Sequence, residues 1–351
     1  MIPKRVIIVG AGRTAWMAAA YLQSALGRAV PAPPDIVVIE PAVRPLPGPG
    51  LAAAPTLNHL LDVIGIDEMS LLHRVGGTFR QATRYENWLR GTGDFFYHPF
   101  DDARAQPIDR AALQWLMSDR SIAFAETVSP QPVICDLGLA PKPMGGAPPG
   151  LPLKYAYHVN ESELAELLRE VATSSGVQHC QERFADLEVA ESGEVVAIST
   201  EGGARLEADL YIDCSGSAAL LGSAQSRVEW VDCTRWLLCD REIRMDIDYD
   251  QYYPGRVRPF TTATALSSGW VRDIPLQGLR TLGYVHSSRH IDEADASREL
   301  RGFEGRHASS PGTCAVQLEA GHRATPWARN CVSLGSSAAV IEPLAAADQY
   351  L

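Results

Sequence analysis

The sequence predicts an α/β fold that begins with a strand, a glycine-rich turn, a helix and a second strand. A short apolar run over residues 5–9 leads directly into Gly10-Ala11-Gly12-Arg13-Thr14-Ala15. A helical pattern follows, and a second apolar run over residues 36–39 ends at Glu40. The glycines allow a sharp turn and a close approach of the backbone to a phosphate, and the small Ala15 lets helix and strand pack together. This order of elements is typical of a Rossmann-like dinucleotide-binding unit.

Each residue type in this unit has a physical role in holding a dinucleotide. The unpaired N–H groups and the positive dipole end of the helix after Gly12 point toward the phosphates. Arg13 can either contact a phosphate or reach solvent. Glu40 is placed to accept hydrogen bonds from ribose hydroxyls. The candidate cofactor-binding residues are therefore Gly10, Gly12, Arg13, Ala15 and Glu40, and the alternative is a tight turn in another kind of α/β protein.

Two later apolar runs end in turns that can also meet a cofactor. A strand pattern over residues 206–212 runs into Asp213-Cys214-Ser215-Gly216, and another over residues 330–334 runs into Gly335. Asp213 is expected to shape the turn beside the cofactor rather than to react. These turns add Asp213, Gly216 and Gly335 to the candidate cofactor-binding residues. Glu342 and Pro343, which begin a predicted helix further along the chain, complete the set.

Length and composition limit the classes of function. The chain of 351 residues is long enough to bury a large core, and its net charge of −11 argues against binding to nucleic acid or anionic membranes, which require a positive surface. No apolar run approaches the length needed to span a bilayer, and the first strand begins too early for a signal peptide. Seven scattered cysteines without a C-x-x-C pair favour reduced thiols and no metal site. A cytoplasmic protein is expected.

An ordered series of short motifs extends over the whole chain. It includes Gly10-Ala11-Gly12 with Trp16-Met17-Ala18-Ala19, Gly65-Ile66-Asp67-Glu68, Gly77-Thr78-Phe79, Tyr85-Glu86-Asn87-Trp88, His98-Pro99-Phe100, Tyr157-His158-Val159-Asn160, Asp213-Cys214-Ser215-Gly216, Gly269-Trp270 with Ile274-Pro275-Leu276, Asn330-Cys331-Val332 and Ile341-Glu342-Pro343-Leu344. In these motifs the chain resembles the flavin-dependent tryptophan halogenases. Members of that family continue beyond the Glu-Pro-Leu element, so the substrate module of this chain is expected to be short or truncated.

The resemblance implies a single FAD-binding, flavin monooxygenase-type domain over residues 1–351 with a smaller, mostly helical substrate module. Dinucleotide-binding parts are expected at 1–50, 155–220 and 325–351, and substrate-side parts at 51–154 and 221–324. Trp88 and Trp270, which lie in family motifs near the active centre, become candidate substrate residues, although wall or core positions are the alternative.

The resemblance also implies a reaction. The family uses reduced FAD and oxygen to oxidise chloride or bromide to hypohalous acid, which a lysine and a glutamate direct to an aromatic carbon. The implied cofactor is reduced FAD without a metal, and the implied substrate is an aromatic small molecule such as an indole. A flavin reductase is the implied supplier of reduced flavin. A homodimer, or a heterodimer with a halogenase relative, is a further expectation.

This sequence departs from the family at the positions that carry the chemistry. The lysine position is Arg80, whose delocalised, permanently protonated guanidinium is a poor halogen acceptor. The glutamate position is Ala345, which can take no proton, and a Thr-Gly pair that helps to hold halide aligns with Ala347-Asp348. The Gly-Glu-Ser-Thr loop near the cofactor aligns with Gly50-Leu51-Ala52-Ala53. A Trp-x-Trp-x-Ile-Pro signature, which discourages ordinary monooxygenation, becomes Trp270-Val271-Arg272-Asp273-Ile274-Pro275.

Three hypotheses follow from these departures. The first is a halogenase in which Arg80 substitutes for the lysine. The second is a flavin-dependent monooxygenase that does not use halide. The third is a pseudoenzyme that keeps the fold and regulates or assists an active relative. The sequence predicts that the ancestral halogenation is impaired.

Overall fold

The structure is a computed structural model that describes residues 2–42, 50–91, 93–100, 108–143, 153–224, 229–248, 256–304, 314–342 and 344. The strands are β1 (Arg5–Val9), β2 (Asp35–Ile39), β3 (Gly50–Ala52), β4 (Thr78–Arg80), β5 (Ala82–Glu86), β6 (Phe95–Pro99), β7 (Ala156–Asn160), β8 (Gln178–Cys180), β9 (Phe184–Val189), β10 (Val195–Thr200), β11 (Arg205–Leu206), β12 (Leu210–Asp213), β13 (Trp230–Asp232), β14 (Arg241–Asp248), β15 (Thr261–Leu266), β16 (Gly269–Pro275), β17 (Leu279–His286), β18 (Cys314–Gln317), β19 (Gly321–Arg323), β20 (Trp327–Ala328), β21 (Cys331–Ser333) and β22 (Ala339–Val340). The α-helices are α1 (Arg13–Ala29), α2 (Thr56–Ile64), α3 (Glu68–Arg74), α4 (Ile108–Leu116), α5 (Phe124–Val128), α6 (Gln131–Asp136), α7 (Glu161–Ser174), α8 (Leu220–Ala224) and α9 (Glu293–Glu304).

A six-stranded sheet in the order β20-β21-β12-β1-β2-β8 contains the strands on both sides of the glycine-rich turn. Strand β1 lies between β12 and β2 and is parallel to both, so that Val6 is paired with Leu210 and Ile36. Because four of the five residues of β1 are buried, the strand is a continuous apolar run rather than an alternating one. The predicted order of strand, turn, helix and strand is therefore present at the centre of this sheet.

Helices α1 and α7 pack together over one face of this sheet. Trp16 and Ala19 of α1 are buried in the largest apolar cluster, which also contains Leu164 and Leu168 of α7. The side chain of Asn160 caps α7 by accepting hydrogen bonds from two backbone N–H groups in its first turn. The sequence thus buries one stripe of each helix against the sheet and against the other helix.

A second, seven-stranded sheet in the order β18-β14-β17-β16-β15-β5-β6 forms most of the opposite half. All of its neighbouring strands are antiparallel except the pair β5 and β15. Helix α9 contributes Ala296 and Leu300 to the apolar cluster on one face. Gly50 of β3 donates its N–H to Thr281 Oγ1 at 2.8 Å, which joins this sheet to the small sheet β3-β7-β4.

The structure confirms the α/β fold class with a Rossmann-like sheet. The described residues of 51–154 and 221–324, which the sequence analysis expects on the substrate side, combine the short helices α2 to α6 and α9 with the seven-stranded sheet. The division into substrate-side and dinucleotide-binding parts stays a prediction. Among the described residues, no helix is long and apolar enough to cross a membrane.

The glycine turn gives a prediction about stability. A Cβ atom at Gly10, where φ is +144°, would lie 2.1 Å from the carbonyl oxygen of Cys214. We expect Gly10→Ala to lower the free energy of unfolding by more than about 3 kcal/mol, because the backbone of β1 or β12 must move. Equilibrium denaturation in urea measures this change.

Gly27→Ala is the matched control for this prediction. Gly27 lies inside α1, and a Cβ atom added to it would meet no atom of the described residues within 4 Å. We expect Gly27→Ala to raise the free energy of unfolding by about 0.5 to 1 kcal/mol, since alanine restricts the unfolded chain and favours a helix. Equal effects of the two substitutions would contradict the steric explanation.

Candidate functional site

The glycine-rich turn opens onto free space at the amino end of α1. Gly12 has a φ of +92°, and a Cβ atom built on it meets no atom of the described residues within 4 Å. The residue that precedes the helix is Gly12, which has no side chain to cap the first turn. Open space before the amino end of a helix is an arrangement that suits a phosphate group.

Two further turns lie beside this one, because parallel strands deliver their carboxyl ends to the same edge of the sheet. Gly216 follows β12 with a φ of +73°, and Gly335 follows β21 with a φ of +60°. A Cβ atom at Gly335 would approach Thr14 Cγ2 to 3.0 Å, so the turn after β21 touches the start of α1. The structure therefore brings the predicted glycines together at one edge.

Asp213 lies beneath these turns and holds them in place. Its side chain is fully buried, and its carboxylate accepts hydrogen bonds from Ser215 N and Oγ, Leu221 N, Gly222 N and Ser337 Oγ. Ser337 also donates to the carbonyl oxygen of Gly216 at 3.0 Å. A direct contact of Asp213 with a cofactor stays a prediction, whereas its support of the turns is a feature of the structure.

Glu40 ends the second strand, as the sequence predicts, but its carboxylate is almost completely buried. It accepts a hydrogen bond from Trp16 Nε1 at 3.2 Å, and His179 Nε2 lies 2.9 Å from its other oxygen. Arg13 points toward α7, where its Nε donates to Glu161 Oε1 at 2.7 Å. Ala15 is buried between α1 and the sheet.

The last candidates of the cofactor set lie near the end of the described chain. Glu342 accepts a hydrogen bond from Cys239 N at 3.0 Å, which connects it to the substrate-side half rather than to the glycine turn. Pro343 and Ala345 lie outside the described residues, as does the pair Ala347-Asp348. The roles assigned to these positions stay predictions.

Arg80, which occupies the family's lysine position, is fully buried at the end of β4. Its Nη1 donates to the carbonyl oxygen of Ala53 at 2.6 Å, and its Nη2 donates to Thr83 Oγ1 at 2.9 Å. The guanidinium also lies over the ring of Phe100, 4.8 Å from the ring centroid. These contacts fix the side chain against the residue that follows β3.

His158 lies close to Arg80 and is fully buried between two threonines. Its ring nitrogens lie 3.0 Å from Thr78 Oγ1 and 3.0 Å from Thr261 Oγ1. Burial, reinforced by the positive charges of Arg80 and Arg258, lowers the pKa of His158 well below its ordinary value. The imidazole is therefore neutral at physiological pH and does not serve as a cationic proton donor there.

The two candidate substrate tryptophans lie on either side of β15. Trp88 is partly exposed and donates its Nε1–H to the carbonyl oxygen of Ala263 at 2.8 Å. Trp270 is 4% exposed and packs with Ala263 in a small apolar cluster that also contacts Tyr85 and Leu344. The Trp88 side chain is thus accessible to a ligand, whereas the Trp270 side chain is buried in the apolar cluster.

The altered tryptophan signature introduces two charges that have buried partners. Arg272 forms an ion pair with the fully buried Glu242, and Arg244 contacts the other oxygen of the same carboxylate. Although burial raises the pKa of Glu242, the two arginines hold it below its ordinary value. Asp273 lies 2.5 Å from a guanidinium nitrogen of Arg280. Arg272 and Asp273, the two charged residues of the altered signature, therefore each form an ion pair with a buried residue of opposite charge.

Three residues that touch the predicted site were missed by the sequence analysis. Thr14 contacts Gly335, Ser337 supports Asp213, and His179 contacts Glu40. None lies in a motif that specifies its partner, because each contact joins segments that are distant in sequence. Among the described residues, no group of three or more His, Cys, Asp or Glu side chains could hold a metal ion.

The fold and the glycine turn define an α/β protein of the dinucleotide-binding class. A family model described as tryptophan halogenase matches residues 5–351. The chain therefore belongs to the tryptophan halogenase family, and the resemblance inferred from its motifs is confirmed.

Individual relatives agree with this assignment. Tryptophan 7-halogenase RebH of Lentzea aerocolonigenes is 30% identical over 367 residues, which cover 99% of this chain and 67% of RebH. A tryptophan halogenase structure from Shewanella frigidimarina has a TM-score of 0.92 at 29% identity and covers 99% of this chain and 68% of its own. Tar14, a flavin-dependent tryptophan C-6 halogenase, has a TM-score of 0.90 at 31% identity, with 99% of this chain and 69% of Tar14 covered.

The buried histidine gives a prediction about pH. The unfolded chain binds a proton at position 158 near pH 6.5, whereas the folded chain binds it only at much lower pH. The contribution of neutral His158 to the free energy of unfolding is therefore complete above about pH 6.5. Below that pH it decreases by at most about 1.4 kcal/mol per pH unit. We expect His158→Gln to remove this part of the slope.

Urea denaturation between pH 7.5 and pH 5 measures the slopes of the wild type and of His158→Gln. The variant will be less stable at every pH because it loses packing, so the slope and not the absolute stability is compared. His73→Gln, at an exposed position of α3, is the control and should keep the slope of the wild type. An unchanged slope in His158→Gln would show that His158 is protonated in the folded chain.

Proposed function

We propose that this chain is an FAD-binding flavoprotein of the tryptophan halogenase type in which halogenation of an indole-type substrate is impaired. RebH and Tar14 are named as halogenases of tryptophan, which gives the reaction and the substrate class. We infer the impairment of halogenation from the surroundings of the Arg80 side chain. Its guanidinium is buried and donates to Ala53 and Thr83, whereas the proposed ancestral role needs an amine that presents itself to an oxidant.

The residues at the glycine turn fit the diphosphate of FAD. Gly12 leaves open space before the amino end of α1, where a larger residue would place a side chain. The helix N–H groups would bind the diphosphate. The carboxylate of Glu40 is buried against Trp16 and His179, so its contact with the adenosine ribose stays a prediction. FAD, when bound and reduced, supplies the electrons that let oxygen oxidise a halide or a substrate. A separate flavin reductase would provide the reduced flavin.

Arg80 acts on the strand next to this site rather than on a substrate. A guanidinium stays protonated throughout the accessible pH range and offers only donors. Since two of these donors bind Ala53, which follows β3, and Thr83 of β5, the side chain joins the end of β3 to β4 and β5. The same contacts leave it poorly placed to carry a halogen.

A second candidate function is monooxygenation without halide. It is favoured by Arg272, which replaces the second tryptophan of the signature that discourages this reaction in the family. Arg272 is paired with buried Glu242, so the replacement is accommodated in the folded sheet. A non-catalytic partner of an active halogenase is the remaining hypothesis, and the experiment below separates all three.

The test uses purified protein, FAD reduced enzymatically, oxygen, bromide and either tryptophan or indole. We expect the wild type to bind FAD, seen as a shift of its absorbance spectrum, and to give no halogenated product by mass spectrometry. We expect Arg80→Lys combined with Ala345→Glu to yield measurable halogenated product, because the amine and the carboxylate are restored. Arg80→Lys alone should lower the free energy of unfolding by about 1 to 3 kcal/mol through its lost hydrogen bonds.

Arg84→Lys is the matched control, since Arg84 lies on the next strand and is paired with Glu86. It should change neither FAD binding nor the products. Halogenation by the wild type would contradict the impairment, and failure to bind FAD would contradict the flavoprotein proposal. A hydroxylated product from the wild type would favour the monooxygenase. Flavin binding without any product from either the wild type or the double variant would favour the non-catalytic partner.

A further inference from the structure

Arg323 is a buried cation that contacts the turn after β21. It lies at the end of β19, where it is 6% exposed, and its Nε donates to the carbonyl oxygen of Ser337 at 2.8 Å. Its backbone N–H donates to the carbonyl oxygen of Ala338, also at 2.8 Å. The guanidinium lies over the ring of Trp230, 5.9 Å from the ring centroid. The two hydrogen bonds thus reach neighbouring residues at the end of the same turn.

Ser337 is held by two side chains of opposite charge. Its hydroxyl donates to Asp213 Oδ1 at 3.1 Å, and its carbonyl oxygen accepts from Arg323. Because Ser337 is completely buried, a lost contact leaves a polar atom without its partner, which is costly. The turn begins at Gly335, which touches Thr14 at the start of α1. A displacement of Ser337 would therefore move the part of the turn that faces the glycine turn.

Gly222 leaves the space that the guanidinium fills. A Cβ atom added to Gly222 would lie 2.8 Å from Arg323 Nε and 2.9 Å from its Cζ. The backbone of Gly222 does not adopt the left-handed conformation that would itself favour glycine. Its N–H donates to Asp213 Oδ2 at 2.8 Å. The first turn of α8 is thus joined to Asp213 and packed directly against Arg323.

The strand order indicates which half of a dinucleotide this turn would meet. In the six-stranded sheet, β1 lies between β2 and β12, and β21 lies beyond β12. A dinucleotide lies across the carboxyl ends of such strands, with its diphosphate at the first glycine turn and its adenosine toward the second strand. The turn after β21 is on the opposite side of β1 from β2. It would therefore face the flavin half of FAD rather than the adenosine half.

We infer that Arg323 is a positioning residue for the flavin half of FAD, because it fixes the turn after β21 through Ser337. This inference rests on the proposed FAD binding and adds to it a buried residue that the sequence motifs do not identify. Arg323 itself need not touch the cofactor. Loss of its hydrogen bond should displace the turn and weaken FAD, whereas ADP, which lacks the flavin and its ribityl chain, should bind as before.

The test compares the affinities of FAD and ADP, measured by calorimetry. We expect Arg323→Met, which keeps an unbranched side chain without a donor, to weaken FAD about tenfold, in keeping with the loss of one hydrogen bond from a charged group. The affinity for ADP should change little. Arg323→Gln should recover part of the affinity for FAD, because its amide nitrogen is as many bonds from Cα as the arginine Nε and can donate to Ser337.

A second variant displaces Arg323 without removing it. Gly222→Ala should weaken FAD but not ADP, since the added Cβ atom would push the guanidinium away from Ser337. In an Arg323→Met background it should cause little further loss, because the flexible methionine can turn aside. The controls lie on α9: Gly302→Ala, where an added Cβ atom meets no described atom within 4 Å, and Arg301→Gln at an exposed position. Both should leave the two affinities unchanged.

Four outcomes would overturn the inference. An equal loss of affinity for FAD and ADP would indicate a general structural role, and an unchanged affinity for FAD in Arg323→Met would indicate no role. The others are a lack of any recovery in Arg323→Gln and an additive loss in the double variant. Thermal unfolding without ligand checks that each variant is folded, and Gly222→Ala serves if Arg323→Met is not.

The wild type judges the proposed function separately. Failure of the wild type to bind FAD would overturn the flavoprotein proposal and this inference together. Wild-type binding of FAD combined with any of the four outcomes would overturn the inference alone.

Discussion

The hydrogen bonds of the buried Asp213 carboxylate are the interaction on which the turns at the edge of the six-stranded sheet depend. It accepts hydrogen bonds from the turn after β12 and from Ser337 in the turn after β21. Both turns lie beside the glycine turn, where Gly10 passes so close to Cys214 that no Cβ atom would fit. A buried charge with many backbone and hydroxyl donors is stable only when every donor keeps its place. Asp213 therefore couples the positions of three chain segments at one edge of the six-stranded sheet.

The first strand, the glycine turn, α1 and β2 could be predicted because their signals are local. An apolar run, two glycines, a helical pattern and a second apolar run that ends at an acid lie in order within one segment. The apolar run that ends at Asp213 is a local signal of the same kind, because the strand and its turn are adjacent in sequence. The motifs were sufficient to recognise the family, since they are spread in order over the whole chain. What they identify, however, is lineage, and not the partner of any particular side chain.

The contacts of Arg80 and Glu40 could not be predicted, because their partners are set by strand register. Arg80 meets Ala53 only because β4 and β3 flank the same central strand, β7. Glu40 meets His179 only because β8 joins the edge of the sheet beside β2. The seven-stranded sheet presents the same difficulty, since β5 and β15 are paired across about 180 residues of chain. A periodic pattern predicts a strand and its buried face but not its neighbour.

The structure also explains how the substituted positions remain compatible with the fold. Arg80 and Arg272 place guanidinium groups in buried surroundings, and each has acceptors there: carbonyl and hydroxyl oxygens for Arg80 and the carboxylate of Glu242 for Arg272. A buried cation without any such acceptor would cost several kcal/mol. The contacts of Arg80 share no residue with those of Asp213 and the glycine turn, so the fold can accommodate a change at one of these places while it keeps the other.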